Sequence, residues 1–130
     1  MNSTQAVIIW ILRLIAAIIL LQTLYFKFTA SEESVYIFST LGIEPWGRIG
    51  TGLLELFTAI LLLVPKTTAY GALLGLGIMT GALCAHLTKL GIVVKNDGGE
   101  LFLLALVVFA CCAGLSLILR KQLFTLFNRS

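Results

Sequence analysis

Three ionisable side chains fall inside long apolar stretches of this 130-residue sequence, and their types make them the residues most able to do chemistry. They are Arg13, Glu55 and His86. An ionisable residue in a membrane span costs about 2.5 to 3.5 kcal/mol on insertion scales, so it usually faces the bundle interior and finds a partner there. We therefore expect these three side chains to turn inward and to form one polar column.

The depths of Arg13 and Glu55 predict that they meet. At 1.5 Å per residue, each lies about 12 Å from its own face of a hydrocarbon core about 30 Å thick. Their Cα atoms would then differ in height by about 6 Å, which two long side chains can bridge. His86 lies further toward the side opposite the termini, where Lys27, Arg48 and Glu100 are expected to form the mouth of the column.

Three interpretations of this polar set remain open. In the first, Arg13 and Glu55 form a structural ion pair that fixes helix register, and His86 is hydrogen-bonded to a neighbouring carbonyl. In the second, the column is a pocket for the head group of a ligand such as a quinone or a lipid. In the third, it is a proton or ion path, which three groups over half the bilayer could serve only with water completing it.

Composition predicts the elements that hold this column. Hydrophobic residues make up 59% of the chain and charged residues 12%, with a mean hydropathy of +1.05, whereas a soluble domain carries roughly a quarter charged residues. Uninterrupted apolar stretches cover residues 6–28, 47–64, 69–87 and 101–119, each long enough to cross a bilayer. The predicted fold class is all-α: a membrane-embedded, antiparallel four-helix bundle forming one integral membrane domain over residues 1–130.

The connections between the spans have their own signals. Thr29 and Glu32 fit a capping box, and Val35, Phe38 and Leu41 follow at helical spacing, so a short interfacial helix is expected between the first two spans. The second and third spans are close enough in sequence to form a tight hairpin. A polar loop containing Lys95 and Asp97 precedes the fourth span, and the tail over residues 123–127, with Arg129 beyond it, is expected to rest on the membrane surface.

Small residues lie on two faces of the third span. Gly71 and Gly75 share one face, and Gly77, Gly81 and Ala85 share another. Since small residues allow helices in lipid to approach closely, this span is expected to pack between two neighbours, or to use one face in a homodimer.

Cysteines and sequence motifs give no sign of a metal or of thiol catalysis. Cys84, Cys111 and Cys112 form no C-x-x-C pair and show no zinc-ligand spacing, so apolar packing is their expected role. The net charge of +3 is spread over both ends of the spans, where basic residues anchor in headgroups. We therefore expect a lipid bilayer as the environment and no nucleic acid as a partner.

The order of several short motifs resembles the DoxX family of small four-span membrane proteins. These motifs are Arg13-Leu14, the run from Tyr25 to Phe28, the run from Gly52 to Glu55, Gly81-Ala82, and the run from His86 to Thr88. The resemblance implies a membrane protein linked to oxidoreductase assemblies, and it places Arg13, Lys27, Glu55 and His86 on recurring polar positions of the family. The chain lacks the loop cysteine pair of redox-active relatives, which argues against thiol catalysis in this member.

Together these observations predict an accessory subunit of a membrane redox complex that is not catalytic on its own. The residues expected to bind a quinone or lipid head group are Arg13, Lys27, Arg48, Glu55, His86 and Glu100. The alternative is a structural or interaction protein whose buried charges only fix helix packing. The expected location is a bacterial-type inner membrane, with both termini in the cytoplasm and other complex subunits as partners.

Overall fold

The computed structural model describes residues 3–93 and 98–121, and within them the chain is helical without strands. The helices are α1 (Ser3–Phe28), α2 (Glu32–Thr40), α3 (Trp46–Leu63), α4 (Thr68–Ala85) and α5 (Glu100–Ile118). A 3₁₀ turn, Pro65–Thr67, joins α3 to α4, and a π-helical turn, His86–Leu90, extends α4. In this part of the chain α1, α3, α4 with its two flanking turns, and α5 are long and apolar enough to cross a membrane, which confirms the predicted fold class.

The four long helices form a closed ring. Helix α1 packs against α3 and α5, and α4 packs against the same two helices from the opposite side. Small and aliphatic side chains such as Ala16, Ala59 and Leu115 fill the core between them. Large apolar side chains including Ile18, Leu53 and Leu117 remain exposed on the outside, where lipid replaces water as their surroundings.

The interfacial helix is present, but its N-cap differs from the predicted one. Ser31 is the N-cap residue, and its side-chain oxygen accepts a hydrogen bond from the backbone N–H of Ser34 at 3.3 Å. The hydroxyl of Thr29 instead donates to the carbonyl of Tyr25 at the end of α1. The predicted apolar face is confirmed, since Phe38 is buried against the bundle.

The two glycine faces of α4 behave differently. A Cβ atom at Gly71 would lie 2.8 Å from the backbone nitrogen of Leu62, and one at Gly75 would lie 2.5 Å from Cys112 Sγ, so this face touches both α3 and α5. The predicted position of α4 between two neighbours is therefore confirmed. Gly77 and Gly81 make no close contact with a neighbouring helix of this chain, because neither site has an atom within 4 Å of an added Cβ among the described residues. Use of this face in a homodimer stays a prediction.

Two predictions fall outside the described residues. The centre of the polar loop, with Lys95 and Asp97, belongs to residues 94–97, and the amphipathic tail belongs to residues 122–130.

Candidate functional site: a polar cavity inside the bundle

The central polar contact of the bundle is an ion pair between Lys27 and Glu55. Lys27 Nζ lies 3.0 Å from Glu55 Oε1, and the Glu55 side chain is only 4% exposed. The other carboxylate oxygen, Oε2, accepts a hydrogen bond from the hydroxyl of Thr23 at 3.1 Å. Glu55 is about 13 Å along α3 from its first residue at 1.5 Å per residue, so this charge pair lies well inside the span.

The expected pairing of Arg13 with Glu55 is wrong, and the direction of the Cα–Cβ bonds explains why. Each Cα–Cβ bond of a helix tilts toward the N-terminus of that helix. In the antiparallel helices α1 and α3, Arg13 therefore leans toward the terminal side of the membrane while Glu55 leans away from it. Lys27 leans into the membrane from the end of α1, which brings its ammonium to Glu55.

Arg13 caps the C-terminal end of α3. Its Nε donates to the carbonyl of Leu62 at 2.6 Å, and Nη2 donates to the carbonyl of Leu63 at 2.7 Å. The guanidinium carbon also lies 3.7 Å from the centroid of the Trp10 ring. A cation is favourable at a helix C-terminus, where the last carbonyls have no partner within the helix. Arg13 is buried as predicted, but it holds two helices together away from the cavity described below.

Arg48 makes the matching contact at the other end of the same helix pair. Its Nε donates to the Glu44 carboxylate at 2.8 Å, and its Nη1 donates to the carbonyl of Lys27 at the end of α1. Arg48 therefore joins the start of α3 to the end of α1.

His86 is buried at the start of the π-helical turn. Its Nδ1 lies 3.0 Å from the carbonyl oxygen of Gly91, which is the carbonyl contact that the structural interpretation expected. The imidazole packs edge-on against Phe102 of α5, with ring centroids 5.6 Å apart. Gly91 has a positive φ of 78°, which an L side chain would oppose.

A cavity of about 770 Å³ lies between these helices and under α2. This volume is within the range of pockets that hold small molecules and cofactors. Four of the six predicted site residues line it: Lys27, Glu55, His86 and Glu100. Arg13 and Arg48 do not appear in its wall, so the structure brings the predicted set together only in part.

Most of the wall is apolar, and part of it is exposed. Leu20, Met79 and Val108 contribute buried apolar surface, while Leu54 and Gly77 are exposed lining residues, so the cavity is open to the outside. The open space beside Gly77 and Gly81 follows from their missing side chains.

Sequence reasoning missed Thr23 of α1 and the contribution of α2 to the wall. Thr23 lies one helical turn before Lys27, and this i, i+4 spacing could have identified it as a partner of the same carboxylate. Ser31, Glu32 and Glu33 line the cavity from the start of α2. Their role could not be read from the sequence, because it depends on how α2 folds back over the bundle.

The cysteines lie elsewhere, and none of them lines the cavity. Cys84 is exposed on the outer side of α4, while Cys111 and Cys112 are buried in α5. Across residues 3–93 and 98–121, no group of three or more histidine, cysteine or acidic residues could hold a metal ion.

A ring of four apolar helices with charged groups in its interior defines a small integral membrane protein. The family model of the DoxX-like family matches residues 11–115, and the chain belongs to that family. This match includes all of α3 and α4 and most of α1 and α5, and it confirms the resemblance seen in the motifs. Neither the search of curated proteins nor the search of solved structures finds a match.

Proposed function

We propose that this DoxX-like membrane protein binds the polar head group of a membrane-soluble molecule, a quinone or a lipid, in the cavity between its helices. The observation that carries the proposal is the Lys27–Glu55 ion pair in the wall of a cavity of about 770 Å³. A buried ion pair often contributes little net stability compared with apolar packing. A pair that borders open space offers hydrogen bonds to a ligand as well.

The groups in the wall suit an oxygen-bearing head group. The Lys27 ammonium carries three N–H donors, and Glu55 Oε1 is one partner for them. A ligand carbonyl or hydroxyl oxygen beside Lys27 would accept from the same ammonium. The apolar remainder of the wall, including Leu20 and Val108, fits a ring or the first part of a hydrocarbon tail.

We place the protein as a binding subunit of a membrane redox assembly that does not catalyse alone. The family assignment supports a membrane role. The cavity wall offers acid, base and hydrogen-bonding groups but no thiol. Its chemistry is suited to holding a head group in position for a partner subunit.

The test is a pair of Gly→Leu variants. Gly81 and Gly50 both have open space around an added Cβ, but only Gly81 lines the cavity. A short-chain quinone is titrated into wild type, Gly81→Leu and Gly50→Leu, each in lipid nanodiscs, with empty nanodiscs as the baseline. We expect saturable binding to wild type and Gly50→Leu, and binding at least about tenfold weaker to Gly81→Leu.

A lipid head group is distinguished by extraction. If the purified wild type releases a lipid that Gly81→Leu does not retain, the ligand is a lipid and not a quinone. If wild type binds no quinone and retains no lipid, or if Gly81→Leu binds as wild type does, the proposal is wrong.

A structural role is the second candidate, and the two arginines favour it for their part of the molecule. Arg13 and Arg48 each bind backbone carbonyls of a neighbouring helix and lie outside the cavity wall. If the ligand experiments fail, these contacts leave a scaffold that holds four helices together for a partner.

A further inference from the structure

The protonation pattern of His86 is fixed by its contact with Gly91. A backbone carbonyl oxygen only accepts hydrogen bonds, so Nδ1 at 3.0 Å from it carries the proton. In the neutral imidazole the other nitrogen, Nε2, then has a lone pair and no proton. His86 therefore presents a hydrogen-bond acceptor on the side of the ring away from Gly91.

The acceptor nitrogen of His86 is not fully buried. Among the described residues the only fully buried side-chain nitrogen or oxygen without a partner is Ser116 Oγ. His86 Nε2 has no hydrogen-bond partner in this part of the chain and is not such an atom, so it retains some exposed surface although the residue is only 6% exposed. The cavity is the open space that this ring lines.

We infer that the molecule held in this cavity carries a hydroxyl or N–H donor, which His86 Nε2 accepts. The inference rests on the proposed function and narrows its ligand to a donor-bearing head group such as a phenol, a hydroquinone or an alcohol. A head group with only carbonyl or ether oxygens would set a lone pair against the lone pair of Nε2. Such a head group, an oxidised quinone included, can still accept from Lys27, but it displaces water from Nε2 without replacing its hydrogen bond and so binds more weakly than a donor-bearing one.

The test compares two ligands that differ in one proton. A para-alkylphenol and its methyl ether have the same ring and tail, but only the phenol donates. Both are titrated into wild type in lipid nanodiscs in the same buffer. We expect the phenol to bind about tenfold more tightly than the ether, because the phenol gains one hydrogen bond to Nε2 whereas the ether leaves that acceptor unpaired.

The only histidine of the chain gives a direct readout. With ¹⁵N-labelled histidine, the ligand-free protein should show a protonated Nδ1 and an unprotonated Nε2. Phenol should move the Nε2 resonance, while the ether should leave it in place. In His86→Leu the preference for phenol should disappear, whereas Leu87→Ala, which changes an exposed neighbour outside the cavity wall, should keep it.

The outcomes separate this inference from the proposed function. Equal binding of both compounds, tighter binding of the ether, or a protonated Nε2 in the ligand-free protein would overturn the inference and leave head-group binding in place. Quinone binding without binding of the phenol would do the same. If quinone, phenol and ether all fail to bind and no lipid is retained, both the inference and the proposed function fall.

Discussion

At the scale of single residues, Lys27 and Glu55 depend on each other. Removing one partner of a buried ion pair leaves the other charge uncompensated and costs about 3 to 5 kcal/mol, whereas replacing both by apolar residues is often tolerated. We expect Glu55→Leu and Lys27→Met each to lower the free energy of unfolding by about 3 kcal/mol. The double variant should be more stable than either single variant, as measured by denaturant unfolding in bicelles.

Glu33 provides the matched control for this comparison of the single and double variants of Lys27 and Glu55. It is an exposed carboxylate at the start of α2, and Glu33→Gln should change stability by less than about 0.5 kcal/mol. Additive losses in the double variant would mean that Lys27 and Glu55 do not stabilise each other.

Arg13 should behave independently of Glu55, because its partners are the carbonyls of Leu62 and Leu63. A hydrogen bond to a charged group contributes about 1.5 to 3 kcal/mol, so we expect Arg13→Leu to cost about 2 to 3 kcal/mol. Arg13→Lys should recover part of this loss, since an ammonium keeps the charge but lacks the planar fork of donors. The same unfolding measurement gives both values.

A double-mutant cycle tests whether Arg13 interacts with the carbonyls at the end of α3 or with Glu55. Arg13→Leu and Glu55→Leu should add within about 0.5 kcal/mol, as distant sites do. A coupling free energy above about 1 kcal/mol would restore the Arg13–Glu55 pair and contradict the geometry reported above.

At the scale of elements, α1 and α3 cap each other. Arg13 of α1 binds the last carbonyls of α3, and Arg48 of α3 binds a carbonyl at the end of α1. Thr68 adds a hydroxyl donor to the carbonyl of Leu62. In a membrane the orphan carbonyls of a helix end need partners within the protein, and these side chains supply them.

Helix α4 lies close to α5 at Gly75. An added Cβ there would lie 2.5 Å from Cys112 Sγ but 3.7 Å from Cys112 Cβ. We therefore expect Gly75→Ala to destabilise the protein by about 1 to 3 kcal/mol through overpacking. Adding Cys112→Ala removes the clashing sulfur and should recover much of this loss in a thermal unfolding experiment.

Gly77→Ala is the comparison on the same helix. Its added methyl group meets open space, and alanine favours the helix over glycine by up to about 1 kcal/mol, so stability should stay equal or rise. A loss at Gly77 equal to that at Gly75 would show that helix contact is not the cause.

At the scale of the whole molecule, the sequence predicted the helices and their inward faces but not the partners of the polar groups. In α3 the residues Arg48, Gly52, Glu55 and Ala59 are buried on one face, and helical periodicity alone places them together. The pairing of Arg13 with Glu55 was predicted from the heights of their Cα atoms, which ignore the tilt of each side chain along its helix. Long-range contacts such as α2 over the cavity depend on packing that periodicity does not encode.

The arrangement of the spans also makes a prediction about orientation. Because the bundle has four spans, the start of α1 and the end of α5 lie on the same side of the membrane. Basic residues in short loops favour the cytoplasmic side. Arg13 reaches toward the end of α3 on the terminal side, so it adds to Lys66, Arg120 and Lys121 there. On the other side are Lys27, Arg48 and Lys89. Among the described residues the balance of basic residues therefore favours cytoplasmic termini.

Single cysteine substitutions test this orientation in intact bacterial cells. Ser39 in α2 and Lys66 between α3 and α4 are exposed at opposite ends of the bundle. A membrane-impermeant maleimide should label Ser39→Cys and should label Lys66→Cys only after the cells are opened. Wild type, with its exposed Cys84 within a span and its other two thiols buried, gives the background. Labelling of Lys66→Cys in sealed cells, with Ser39→Cys protected, would reverse the assignment, because the single span between these two positions, Trp46–Leu63, places them on opposite sides of the membrane.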